Sequence, residues 1–183
     1  MTPRTNRNLT PEELGAGIYE MLRASMSSGG DLSLERLQGA LAEHEEVLDE
    51  QFAGTVMIGA MYAATLAVGR STTTWVSERI QGGIISEFYA HLKEQGASSE
   101  QVSEWKVVLA EHWQEYARVL DGYEGYEPPW RFGRSLLWFL SSDDHHLALA
   151  VKDATMFLLK AEETAQDLMN THGPKLEVDT LSA

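Results

Sequence analysis

The side chains able to do chemistry in this chain are histidines and carboxylates. It contains no cysteine, which removes disulfides, thiolate metal sites, iron–sulfur ligation and cysteine nucleophiles together. Four groupings bring the two residue types close: Glu43 with His44, Glu87 with His91, Glu111 and His112 with Glu115, and Asp143, Asp144, His145 and His146. A carboxylate-bridged di-metal centre in a helical bundle needs inward glutamates and two Glu-x-x-His pairs on facing helices. That spacing does not occur. Only Glu87 and His91, four residues apart, share a helix face, whereas neighbours such as Glu111 and His112 point about 100° apart. The spacing therefore predicts no bound metal or other cofactor. An alternative, metal-dependent reading would use His44, His112, Glu87 and His91. The Asp143 to His146 run fits the acidic first turn that a helix dipole favours.

His44 and His112 stand out because each interrupts an apolar seam. One seam is Leu34, Leu37, Leu41, His44 and Leu48; the other is Val102, Trp105, Leu109, His112, Tyr116 and Val119. A neutral, hydrogen-bonded core histidine is the plainer expectation for each. If the seams faced one another, the pair would be a candidate ligand or proton site. Serine hydrolysis lacks its Gly-x-Ser-x-Gly elbow, and Gly82-Gly83 lacks the lysine and following Ser/Thr of a phosphate-binding loop.

A different chemistry is offered by the segment DGYEGYEPPWRFGR, from Asp121 to Arg134. Tyr123, Tyr126, Trp130 and Phe132 supply large amphipathic area, and Arg131 and Arg134 are cations in an acidic protein. Read as a loop, it either folds back on the body of the protein or forms a contact surface for a partner or an anionic ligand. The formal charge of −14, from 28 acidic and 14 basic residues, repels phosphate backbones and anionic lipid. Neither nucleic acid nor membrane is therefore an expected partner. An apolar share of 43% and five tryptophans exclude a disordered acidic tail.

The elements that must position these groups are all helical. The most prominent is FAGTVMIGAMYAATLAV, Phe52 to Val68, which carries no charge. It sits at the lower limit of the ~17–25 residues that cross a bilayer, but its amphipathic neighbours need a common core, so it reads as a buried central helix. Thr55, Gly59, Ala63 and Ala67 form a small-residue strip at four-residue intervals, a place for another helix to approach closely, within the chain or across a dimer.

Around it, Thr10, Pro11 and Glu13 open a first helix whose inner stripe is Leu14, Ile18 and Met21 or Leu22. A break is expected near 70–73. Trp75, Val76 and Ile80 then restart a pattern that the glycines at 82 and 83 should end. Ile84, Ile85, Phe88 and Leu92 make the next face. Ser98 and Gln101 cap a long helix, a further helix is expected from about Arg131 to Leu140, and a last seam runs Leu147, Val151, Ala154, Leu158, Ala161, Ala165 and Leu168.

The fold expected is one all-α domain over residues 1–183, a bundle of about six or seven helices around the helix at about 52–68, with residues 1–8 and 174–183 as flexible tails. Two arginines near the N-terminus have no apolar stretch behind them, so no secretory signal is read there, and the cytoplasm is the expected location. Seams and small-residue strips outweigh catalytic polarity. The function expected is accordingly a non-enzymatic interaction or regulatory module with a protein partner or itself, a homo-oligomer. The alternative is a ligand-binding or metal-dependent helical enzyme using buried His and Glu residues.

Overall fold

The computed structural model describes residues 9–27, 32, 34–42, 51–121, 127–141 and 148–173; His44, Tyr123, Tyr126, the Asp143 to His146 run and both expected tails lie outside them. Among the described residues there are seven α-helices and no strand: α1 (Pro11–Met26), α2 (Leu34–Ala42), α3 (Phe52–Ser71), α4 (Thr74–Glu94), α5 (Ser99–Leu120), α6 (Glu127–Leu140) and α7 (Ala148–His172). They pack as an all-α bundle.

Local chemistry sets several boundaries as the sequence predicts. The Thr10 hydroxyl accepts from the Glu13 amide, and the Glu13 carboxylate accepts from the Thr10 amide, so two orphan donors at the start of α1 are satisfied reciprocally. Ser98 and Gln101 repeat the arrangement at α5. Gly96 follows α4 with φ +91°, a left-handed conformation that glycine adopts without strain. At the end of α3, the Ser71 and Thr72 hydroxyls donate to the Ala67 and Val68 carbonyls. Side chains thus take over from the backbone ladder, and the helix stops.

Helix α3 is the centre. Phe52, Val56, Ile58, Ala60, Met61, Ala64 and Val68 are buried on its several faces, as expected of a helix apolar all round. It is the one described helix long and apolar enough to cross a membrane, and 67% of its most apolar stretch is buried. The strip is internal too: Thr55, Gly59, Ala63 and Ala67 are all buried. Leu136 of α6, Leu158 of α7 and Tyr116 of α5 converge on the open side of Gly59. An outer helix of a second copy has no access to it. Gly54 is explained separately, because the Trp105 indole fills the space its Cβ would need.

Two expectations for α4 need correction. Gly82 and Gly83 do not end a helix; α4 runs through both to Glu94. The reason is a close crossing with α1, where Gly83 lies against the backbone of Glu12 and Gly15 lies against Ile80 and Gly83. Close approach compensates for the poor helix propensity of glycine. Trp75 is exposed, not part of the inner face, and the Arg79 guanidinium lies 4.5 Å from its ring centre. Arg79 also makes two hydrogen bonds to Glu12 of α1. In α1 the choice between Met21 and Leu22 is decided: Leu22 is buried and Met21 exposed.

Candidate functional site

Helix α6 begins earlier than the sequence suggests. Its first turn contains Pro128 and Pro129, which a helix tolerates there because those positions have no intrahelical use for an N–H. The segment expected to be a loop up to Arg131 is therefore helical from Glu127, and helical geometry divides its aromatic and cationic side chains between two faces. Phe132 turns inward and is buried, with its ring 5.5 Å from Tyr62 and 4.8 Å from Tyr116, both edge-on. It belongs to the core and offers nothing to a partner. Trp130 and Arg134 turn outward, and Arg131 is half-buried.

Four residues beyond Arg134, Trp138 is 56% exposed. Trp130, Arg134 and Trp138 thus form one outer stripe at i, i+4, i+8. Trp138 lies in the helix expected from about Arg131 to Leu140, but it is not among the residues expected to form a contact surface. A four-residue interval linking it to Trp130 was the available signal.

Helix α7 extends this surface. It crosses α6 closely, since Gly133 leaves no room for a Cβ against the backbone and hydroxyl of Thr155. Thr155 is buried and its hydroxyl donates to the Val151 carbonyl at 2.7 Å. By helix geometry, the residues three before, one after and four after Thr155 flank the crossing. They are Lys152, Met156 and Leu159, all exposed. Met156 is 55% exposed, and Leu149, one turn further out on the same face as Lys152, is 68% exposed. Among the described residues neither Arg134 nor Lys152 makes an ion pair. The result is a run of large apolar side chains interleaved with cations on a chain of net charge −14.

Among the described residues the candidates for metal or proton chemistry do not assemble. His112 of α5 is buried, stacked 3.6 Å from the Phe139 ring, and its Nδ1–H donates to the Val108 carbonyl at 2.7 Å. Its Nε2 is buried without a partner among the described residues. Burial holds the imidazole below its ordinary value of 6.5, against the opposing pull of the Val108 hydrogen bond and the Glu111 charge. His91 of α4 sits elsewhere, half-buried with its ring 6.1 Å from Tyr19 and its Nδ1 3.9 Å from Glu94. Glu87 is half-buried on the same helix. Among the described residues no three His, Asp or Glu side chains converge so as to hold a metal ion. His44, the other member of the alternative set, lies outside the described residues.

The environment of His112 makes a prediction. An imidazole whose folded value is below its unfolded one lets the unfolded chain take the proton first. Acidification through about pH 6.5 therefore draws the equilibrium toward unfolding, until the folded imidazole itself titrates. His112→Phe should lose this term while keeping the stack on Phe139. Urea unfolding at about pH 7 and pH 5 should show the variant gaining on the parent as pH falls, by at most ~1.4 kcal/mol per pH unit. A gap independent of pH would mean that His112 is not held neutral.

The Tyr116 hydroxyl is likewise buried and without a partner among the described residues, and burial pushes its phenol well above the usual range. No protein-family model, curated protein or solved structure matches this chain.

Proposed function

We propose that this chain is a non-enzymatic helical interaction module that presents the outer face of α6 and α7 to an acidic protein surface. The observation that carries this reading is the stripe of Trp130, Arg134 and Trp138 beside Leu149, Lys152 and Met156, apolar and cationic at once on an acidic chain. Tryptophan and arginine are the residues that dominate protein–protein binding energy when their surroundings exclude water. Each tryptophan has only two side-chain torsions, so little side-chain freedom is lost on docking. Cations between them favour carboxylates on the partner and speed encounter with them.

The expectation of self-association changes its footing. The small-residue strip that suggested it is covered within the chain, which leaves the α6/α7 face as the surface for a second copy. A two-fold contact through that face would set Arg134 and Lys152 near their own equivalents, so a distinct acidic partner fits better.

The test uses a synthetic amphipathic helical peptide of leucine and glutamate. Binding should shift the tryptophan emission to the blue, weaken at high salt and fall about tenfold or more in Arg134→Glu/Lys152→Glu, as loss of charge-assisted contacts implies. Equal affinity of the double variant, or equal binding of a lysine-for-glutamate peptide, would sink the proposal. So would binding to anionic lipid vesicles without binding to the peptide. Light scattering that showed a dimer dispersed by Arg134→Glu would replace the acidic partner by a second copy.

A further inference from the structure

We propose that a cleft on the inner side of α6 is a binding site for a small primary amine with an apolar body. The cleft opens between the C-terminal ends of α3 and α5, the first turn of α6 and the middle of α7, and encloses about 390 Å³. That is the size of a small-molecule site. Leu66, Leu120, Phe132 and Leu158 supply apolar wall. Of the sequence-predicted site residues that are described, Phe132 alone lies in it.

Its charge points to a cation. Among the described lining residues only Arg70 and Glu162 are charged, and they form an ion pair between Nη1 and Oε1. Their exposures differ: the Arg70 side chain is 66% exposed and that of Glu162 only 24%. The carboxylate is thus part of the wall, while the guanidinium reaches it from the solvent side. Arginine is free to swing away on its long stem, and an ammonium entering the cleft takes its place on Glu162. The surrounding backbone has the same preference. Leu120 is the last residue of α5 and Arg70 is in the last turn of α3, so the negative ends of two helix dipoles lie at the cleft. The N-terminus of α6 would ordinarily attract an anion, but Pro128 and Pro129 remove two of its N–H donors. At longer range the net charge of −14 raises the local concentration of cations.

The probes are octylammonium, octan-1-ol and octanoate, titrated calorimetrically into the full chain. They share a tail and differ in head charge. Octylammonium should bind about tenfold or more tightly than either of the others, the margin expected of one charge-assisted contact. Glu162→Gln should reduce it to the level of the alcohol. Glu163→Gln, which removes an exposed carboxylate paired with Lys160, should leave it unchanged, as should Arg134→Glu on the outer face. Leu66→Trp, which fills the cleft, should weaken all three; circular dichroism checks that it is folded, and the two glutamine variants decide the question if it is not. No binding by the parent, tighter binding of octanoate, or binding that survives in folded Leu66→Trp would overturn the proposal. Equal losses in Glu162→Gln and Glu163→Gln would also overturn it, because attraction would then belong to the acidic surface at large. The α6/α7 docking face stands or falls separately, on the peptide and the Arg134 and Lys152 variants.

Discussion

Gly83→Ala is expected to destabilise the protein by about 2–3 kcal/mol, although alanine is the better helix former by about 1 kcal/mol. A Cβ at residue 83 would fall against the Glu12 carbonyl, with its carbon and Cα each 3.1 Å away. The obstruction is backbone, so no side-chain rotation relieves it, and α1 and α4 must part. Gly15 makes the reciprocal demand, since its Cβ would stand 2.9 Å from the Gly83 Cα and the Ile84 nitrogen. Gly82 provides the control. No described residue lies within 4 Å of a Cβ there, so Gly82→Ala should stabilise by about 0.5–1 kcal/mol through propensity and reduced freedom of the unfolded chain. For a chain of this length a change of 1 kcal/mol moves the melting temperature by about 2–4 °C. Thermal unfolding followed by circular dichroism should therefore separate these adjacent variants by about 5–15 °C, with opposite signs. A Gly83→Ala protein that melts with or above the parent would show that α1 and α4 do not cross at this point.

The second large effect is at Gly59, and it should depend on the size of the substituent. A Cβ there would lie 3.0 Å from Leu136 Cδ1, 3.4 Å from Leu158 Cδ2 and 3.5 Å from the Tyr116 hydroxyl. These are ends of side chains, able to give by a few tenths of an ångström. Gly59→Ala should consequently be nearly neutral, the squeeze on Leu136 offsetting the gain in helix propensity. Gly59→Leu has no such outlet, because Leu136, Leu158 and Tyr116 are all buried. Overpacking should cost about 1–3 kcal/mol. Chemical denaturation of the pair measures the difference, and a leucine variant as stable as the alanine one would place the strip against open space.

The two glycines show how far the sequence reaches. A four-residue interval of small residues around Gly59 identifies a face that must be covered, because it follows from the 3.6-residue turn and nothing else. What covers it is undetermined: a helix backbone, flexible side chains or a second copy would all leave the same pattern. The structure places side chains there, and puts the backbone-to-backbone crossing at Gly15 and Gly83 instead. Helical periodicity puts Gly83 on the face of Ile80 and Ile84 and Gly82 off it, but it does not say what lies against that face. The difference lies in Glu12, which the chain brings back from far away in sequence.

The same division runs through the candidate site. Composition singled out the segment around Trp130 and Arg134, and both side chains do lie on the surface. The prolines read as part of a loop open a helix, and that decides which aromatics face where: Phe132 enters the core, and Trp138 joins Trp130 outside. Leu149 and Met156 lie off the α7 seam, so their exposure follows from periodicity, but their place beside α6 depends on the crossing at Gly133 and Thr155. The cleft is less legible still, since its walls come from four helices and its charged pair from residues distant in sequence.

By itself the sequence determined the all-α class, the caps at Thr10 and Ser98, the break near Thr72, much of the inner stripes of α1, α5 and α7, and the central place of α3. Each of these rests on interactions within about one helical turn, or on the need of an uncharged helix for cover. The tertiary structure decided which glycine bears a crossing, which aromatics on α6 are presented, that His112 and His91 stay apart, and that Glu162 and Arg70 meet at a cleft. Those outcomes depend on the angle and register at which helices pack, which are set by the summed fit of many side chains and leave no local mark in the sequence.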